Sequence, residues 1–191
     1  RAAGMERADL LSANGAIYAL DLLPSEDKLS LVIAARHDFD GGTGSTPTVS
    51  NDGQRLYITD ENGNVMALDR ELQEIWRINV GEQVAASVAV SADNHELYVV
   101  TARDVFKLWD KGNHAEHAWQ AQLAVFPNHV NVNALTPTIT ANGIAVSIGA
   151  SRELGENSLL MAAGFGLLDR DSGTVRGFVQ AKGGSATDAD D

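Results

Sequence analysis

Apolar residues along this chain fall in short runs, many of them alternating strictly with polar ones, and most runs end on Asn, Asp or Gly. Period two with turn residues at its ends predicts β-strands joined by tight turns rather than helices. Over 45–80 the expected strands are 46–50, 56–60, 65–69 and 75–80, with a turn at Asn51-Asp52-Gly53 and a hairpin of the type I′ kind at Asn62-Gly63. Over 86–123 they are 87–91, 96–101, 105–109 and 118–123, and over 135–180 they are 136–140, 143–148, 159–169 and 174–180. The last group has turns at Ala141-Asn142-Gly143 and Asp171-Ser172-Gly173 and a polar connection over 149–158. The stretch 10–35 offers three strands, 10–12, 16–21 and 28–34, and lacks an innermost one. Residues 1–9 have poor strand propensity and read as irregular, and 181–191 form an acidic tail.

The groups repeat one another. Val49 to Val90, Tyr57 to Tyr98 and Asp69 to Asp110 are each separated by 41 residues, Trp76 to Trp119 by 43, and Pro47 to Pro137 by 90. Four strands with turns in about 41 residues is the size of a propeller blade. The expected fold is therefore all-β, a β-propeller of three full blades plus a partial one over 10–180. The usual ring has more blades, so the expectation is a segment of a larger ring, completed by further blades of a parent chain or of a second chain.

The string Leu56-Tyr57-Ile58-Thr59-Asp60-Glu61-Asn62-Gly63-Asn64-Val65-Met66-Ala67-Leu68-Asp69, followed by Trp76, resembles the repeat of the PQQ-like (quinoprotein-type) propellers. That repeat runs Ala-x-Asp, a Thr-Gly-Lys turn, then Trp, and Ala67, Asp69 and Trp76 match it. Glu71-Leu72-Gln73 replaces the Thr-Gly turn, and Trp76 arrives one residue early. Asp110 with Trp119 continue the pattern, and Asp169 opens a turn that ends Ser172-Gly173-Thr174, with Phe178 and no Trp after it. The resemblance covers 10–180 and implies the fold together with a periplasmic or extracellular location. On physical grounds the Trp packs between blades with its indole N–H seeking an acceptor, while the Asp accepts amides of its own turn.

Composition narrows the function. Lys and Arg number 14 against 26 Asp and Glu, a formal charge of −12. No basic patch compensates, which argues against nucleic-acid binding. No cysteine is present, so disulfides, thiolate metal sites and cysteine nucleophiles are excluded. No apolar run approaches the ~20 residues of a membrane-spanning helix. The first residue is Arg1 and no signal peptide is visible, so a processed or excised polypeptide is expected.

Ligands of a propeller meet the connections that lead into the innermost strands, here 36–45, 81–86 and 126–135. The first carries His37, Asp38 and Asp40, the second Glu82 and Gln83. In the third, His129, Asn131 and Asn133 alternate with apolar residues and would face one way. These channel-facing residues are the candidate ligand site, set against the simpler role of satisfying local backbone groups. His114 and His117 with Glu116 and Asp110 read as a solvated turn, and Asp38-x-Asp40-Gly41 lacks the distal Glu of a calcium loop. Neither a Gly-x-Ser-x-Gly elbow nor a Gly-x-x-x-x-Gly-Lys loop occurs.

The expected function is a noncatalytic scaffold for protein partners or a ligand-sensing ectodomain, with no cofactor. The resemblance also implies an alternative, part of a quinoprotein dehydrogenase holding PQQ and Ca²⁺, although the vicinal Cys pair common in that family is missing. A channel-facing hydrolase or carbohydrate-binding module is the third reading.

Overall fold

A computed structural model describes residues 15–25, 28–84, 86–123, 130–132, 135–154 and 157–181. The described residues contain strands and no α-helix. Two sheets of four strands follow one another, β3 (Thr48–Val49), β4 (Leu56–Thr59), β5 (Asn64–Leu68) and β6 (Glu74–Asn79), then β7 (Ala89–Val90), β8 (Glu96–Val100), β9 (Asp104–Asp110) and β10 (Ala115–Gln122). Each sheet is an antiparallel meander from its first strand to its fourth, as the alternation requires. A last sheet contains β12 (Thr138–Thr140), β13 (Gly143–Leu154), β14 (Asn157–Leu168) and β15 (Val175–Gln180), with β11 (Val130–Val132) added along β13. Before them stands a two-stranded unit of β1 (Gly15–Ser25) and β2 (Lys28–Phe39). These are successive propeller blades, a first one of which the described residues show two strands, followed by three more.

The cores lie between sheets. Tyr57, Val65, Ala67 and Trp76 of the second blade pack against Val88, Leu97, Val99, Phe106 and Leu108 of the third. Tyr98, Val100 and Val105 of the third meet Ile144, Val146, Ile148 and Leu168 of the fourth. Ile17, Ala19, Ala35 and Phe39 of the first unit cover Ile58, Met66 and Leu68 of the second blade. Blades therefore stack face to face, which is what two apolar sheet faces demand.

One irregularity recurs in all four units. The pairing of the third and fourth strands slips between Ala19 and Leu20, Ala67 and Leu68, Lys107 and Leu108, and Leu167 and Leu168. The extra residue is Ala34, Ile75, Ala118 or Arg176 in turn, a β-bulge at one fixed place. Trp76 and Trp119 follow it directly, opposite Ala67 and Lys107. The bulge identifies β1 and β2 as third and fourth strands, with Ala35 opposite Ala19 where the other two blades place Trp.

Three expectations need correction. Strand 28–34 extends to Phe39, so His37 and Asp38 lie in β2 rather than in a connection. The polar stretch 149–158 is no surface loop: Gly149–Leu154 continue β13 and Asn157–Ser158 begin β14. His117 sits within β10, not in a turn. The expected strand 10–12, the irregular stretch 1–9 and residues 182–191 of the tail lie outside the described residues.

Turn chemistry holds the blades' ends. Gly63 adopts φ 81°, and a Cβ there would stand 2.6 Å from the Glu82 carbonyl oxygen, so only glycine lets the Asn62-Gly63 hairpin sit against the next connection. In the Asp69 turn, where the resembled repeat has glycine, buried Leu72 takes φ 58°. The cost of that left-handed residue, about 1–2 kcal/mol, is offset by its burial against Leu68 and Met66.

Candidate functional site at the blade junctions

The polar groups that converge do so between blades, on the side of the first-to-second and third-to-fourth strand turns. Asp110 closes β9, its side chain 2% exposed. Arg55 of the preceding blade places Nη1 2.6 Å from Oδ1 and 2.5 Å from Oδ2. The Tyr57 hydroxyl donates to Oδ2 at 2.8 Å, the Trp76 indole to Oδ1 at 3.3 Å and the Gly112 amide to Oδ1 at 2.8 Å. Burial pushes the Asp110 carboxyl up, but the Arg55 bond, the Gly112 amide and the Tyr57 hydroxyl outweigh it and hold it below its ordinary range. Burial first, then the carboxylate beside it, pushes the Tyr57 phenol up.

The next junction inverts this arrangement. Glu96 stands 41 residues after Arg55, and it pairs with Arg170 of the following blade. Lys107, with a side chain 2% exposed, donates to Glu96 Oε1 at 2.7 Å and to the Arg170 carbonyl at 3.1 Å. Tyr98 donates to Glu96 Oε2 at 2.8 Å, and the Trp119 indole donates to the Arg170 carbonyl at 3.0 Å. Burial raises the Glu96 carboxyl, and the bonds from Arg170, Lys107 and Tyr98 bring it below its ordinary value. Asp169, the counterpart of Asp110, turns to its own turn amides at Asp171 and Ser172 and to Arg176, and its pKa falls to about 2.

At the remaining junction, between the first unit and the second blade, the described residues form no such network, and His37 Nε2 lies 3.6 Å from Glu74 Oε2 across it. Asp69 accepts the amides of Glu71 at 3.0 Å and Gln73 at 2.8 Å, as expected of the repeat Asp. Beside it lies an apolar cleft of 360 Å³, lined by Ile17, Tyr18, Ala19, Val49, Leu56 and Leu72, with Asp69 and Arg70 at its polar end. A larger cleft of 770 Å³ opens over Asp110, bordered by Asp52, Asp93, His95, Trp109 and Lys111. Both Asp52 and Asp93 are engaged by a Ser two residues before them, Ser50 at 2.6 Å and Ser91 at 2.5 Å, and that bond lowers each carboxyl.

The carboxyls of Asp52, Asp93, Glu96, Asp110 and Asp169 are held below their ordinary range, so they are weak bases and poor acids near neutral pH. Asp104 goes the other way: burial pushes it up, and Gln120 donates to its Oδ2 at 3.1 Å. Among the described residues, no group of three His, Cys, Asp or Glu side chains converges as a metal site.

Of the connection residues singled out in the sequence, Asp38, Asp40 and Glu82 have hydrogen-bond partners. Asp38 pairs with Arg36 at 2.5 Å. The Asp40 carbonyl accepts Asn62 Nδ2 at 2.6 Å. Glu82 accepts the Thr101 hydroxyl at 2.8 Å, and Gln83 is exposed. Asp40 and Glu82 thus flank one hairpin, Asn62-Gly63, through their main chains. Asn131 pairs with Ala150 through the backbone of β11, while His129 and Asn133 lie outside the described residues. Near His114, the ring bonds Asn113 and Glu116, and His117 stacks edge-on with Phe106. Sequence reasoning missed Arg55, Glu96, Lys107 and Arg170. The available signal was a charge that changes sign at a fixed repeat position, together with Ser-x-Asp at 50–52 and again at 91–93.

BamB from Moraxella catarrhalis superposes on 91% of this chain with a TM-score of 0.57 at 18% identity. The quinohemoprotein alcohol dehydrogenase ADHIIG from Pseudomonas putida HK5 covers 87% with a TM-score of 0.59 at 18% identity. That from Comamonas testosteroni covers 72% with a TM-score of 0.56 at 14% identity.

The chain has the PQQ-like β-propeller fold.

It spans 54% of the BamB chain and 22% and 21% of the two dehydrogenases, about half of one propeller protein and a fifth of the others. No protein-family model matches the sequence, and no curated protein does. At these identities the likeness establishes the PQQ-like fold alone.

Proposed function

We propose that this PQQ-like propeller segment is a noncatalytic scaffold that presents its faces to protein partners, in a periplasmic or extracellular setting. The observation that carries this is the apolar surface at the two ends of the blade stack. On the first unit Leu20, Leu22, Leu29, Leu31 and Ile33 are all at least half exposed, and on the last blade Phe165 and Val179 are 64% and 71% exposed. Apolar patches of this kind mark surfaces that other protein covers, whether further blades of a ring or a separate partner. The junction carboxylates, by contrast, are tied into blade docking. The experiment is affinity capture with the purified chain from an envelope extract, scored against a variant with Leu31 and Ile33 changed to Lys. Partners retained by the first and lost by the second support the scaffold; no specific partner overturns it.

The likeness to quinohemoprotein alcohol dehydrogenases keeps a second reading alive, a piece of a dehydrogenase that holds PQQ and Ca²⁺. The described residues offer no converging donor set for the ion, so no chemical step is assigned to them. Addition of PQQ and Ca²⁺ followed by absorbance spectroscopy separates the readings: a bound, red-shifted quinone favours the dehydrogenase, and an unchanged spectrum removes it.

A further inference from the structure

We propose that His37 and Glu74 form a proton-operated latch across the first junction. In mild acid it clamps the outer strand of the first unit onto that of the second blade, and at higher pH it releases. The inference goes beyond the scaffold reading and does not depend on it.

The repeat shows that His37 stands in an apolar place. It lies opposite Ile17, two residues after the position that Ala35, Trp76 and Trp119 share. The residues at the same position in the next two blades are Ile78, opposite Val65, and Ala121, opposite Val105. Both are partly buried and pack against the core of the junction ahead of them. A polar ring therefore stands where the repeat puts hydrocarbon. Its side chain is 16% exposed, the Phe39 ring centre is 6.4 Å away, and Nε2 is buried without a hydrogen-bond partner. A buried polar atom left in that state is uncommon and unfavourable.

What faces that atom is a carboxylate. Glu74, the first residue of β6, places Oε2 3.6 Å from Nε2, too far for a hydrogen bond but within reach of an ion pair. A neutral imidazole offers there either a lone pair, which the carboxylate repels, or an N–H held beyond bonding distance. Protonation makes both ring nitrogens donors and adds a positive charge. A movement of about 0.7 Å then brings the two atoms to the length of a charge-assisted bond.

The other charges around the pair decide whether a proton is favoured. From β6, Arg77 already donates to Glu74 Oε2, at 3.2 Å through Nε and 2.7 Å through Nη2. That guanidinium alone would oppose a second cation. It also feels Asp60, at the start of the β4–β5 hairpin, and Asp40, just beyond β2, so three carboxylates stand against one guanidinium. On β2 itself Arg36 and Asp38 pair with each other, and as strand neighbours of His37 they point to the opposite face. β1 sets Ile17 against His37 and turns Tyr18 towards Arg36. A proton on the ring thus enters net negative surroundings. Histidine is the side chain that ordinarily changes charge between about pH 5 and 8. The new bond exists only in the docked arrangement, so its contribution is present in acid and is lost as pH rises through that range.

Hydrogen exchange of the whole chain, read by mass spectrometry at about pH 5.5 and about pH 7.5, follows the latch through the amides of β1, β2 and β6. After correction for intrinsic rates, the wild type should gain about three- to ten-fold more protection at the lower pH than His37→Gln does. His37→Ile, which copies the residue of the second blade, should dock and show the same loss of response. In a Glu74→Gln background, His37→Gln should leave the pH response unchanged. A wild-type response matched by both His37 variants, or one that persists without the Glu74 carboxylate, would overturn the proposal. Either failure leaves the scaffold reading standing, because affinity capture through Leu31 and Ile33 tests it separately.

Discussion

Asp110→Asn isolates the charge at the centre of the second junction while keeping the side chain's shape. The substitution removes the anionic oxygen that receives Arg55 Nη1 at 2.5 Å and the Tyr57 hydroxyl at 2.8 Å. A hydrogen bond to a charged group contributes about 1.5–3 kcal/mol, and breaking a buried ion pair from one side costs about 3–5 kcal/mol. The two figures describe overlapping losses, and the Asn carbonyl still receives Trp76 or Gly112. The expected destabilisation at neutral pH is about 3 kcal/mol. Its pH dependence has a definite sign. The Asp110 carboxyl lies below its ordinary value in the folded chain, so its stabilisation is complete above the unfolded value, about 3.9. It is lost as pH falls through the folded value. Glu96 shifts the same way but is present in both proteins and cancels. Urea unfolding at a series of pH values should therefore show a wild-type advantage that is widest near neutrality and closes in acid below about pH 4. A variant within about 0.5 kcal/mol of wild type at neutral pH, or a gap that persists unchanged into acid, would refute the account of this junction.

Trp76→Ala should cost about 3–5 kcal/mol in urea unfolding, because it empties a buried site and removes a donor from Asp110, and normal stability would contradict its docking role. Gly173→Ala should lower the melting temperature and change the near-ultraviolet dichroism of Trp119, since φ is 72° and the new Cβ would lie 2.7 Å from the indole ring. Changing Leu31 and Ile33 together to Lys should leave stability within about 0.5 kcal/mol while reducing self-association in sedimentation velocity. A large stability loss there would mean that the hairpin face is covered within the chain.

The second and third blades were legible because short strand-length runs end on Asn, Asp and Gly turns at a repeated spacing, although β4, β5, β8 and β9 prove buried at nearly every position and the outer strands β6 and β10 mix exposed residues with more buried ones. The first hairpin was less so. Its strands are expected to end at 21 and to begin at 28, yet pairing continues through Pro24 opposite Leu29 near the hairpin tip. Residues 149–154 have too many small and charged side chains to suggest a strand, and backbone pairing with β14 and β11 decides them instead. The 41-residue offset also hid a slip. Five residues separate Thr59 from Val65, whereas four separate Val100 from Val105, and Trp109 restores the count before Asp110. Arg55 and Glu96 escaped notice for a different reason: comparing repeats rewards identity, while a contact that reverses both of its charges preserves the interaction and erases the likeness.

The recurring bulge has an effect on how this chain tolerates change. Side chains on a strand swap sides with every step, so one surplus residue in the outer strand decides whether the turn half of that strand agrees with its other half. Loss of Ile75 or Ala118 alone would point the indole-bearing half and the turn half to opposite sides, uncoupling the aromatic from the carboxylate or carbonyl it serves across the gap. Deleting one residue there should thus be far more damaging than deleting Asn113 from the exposed turn between β9 and β10, and a length change in an outer strand can be absorbed only by two residues at a time.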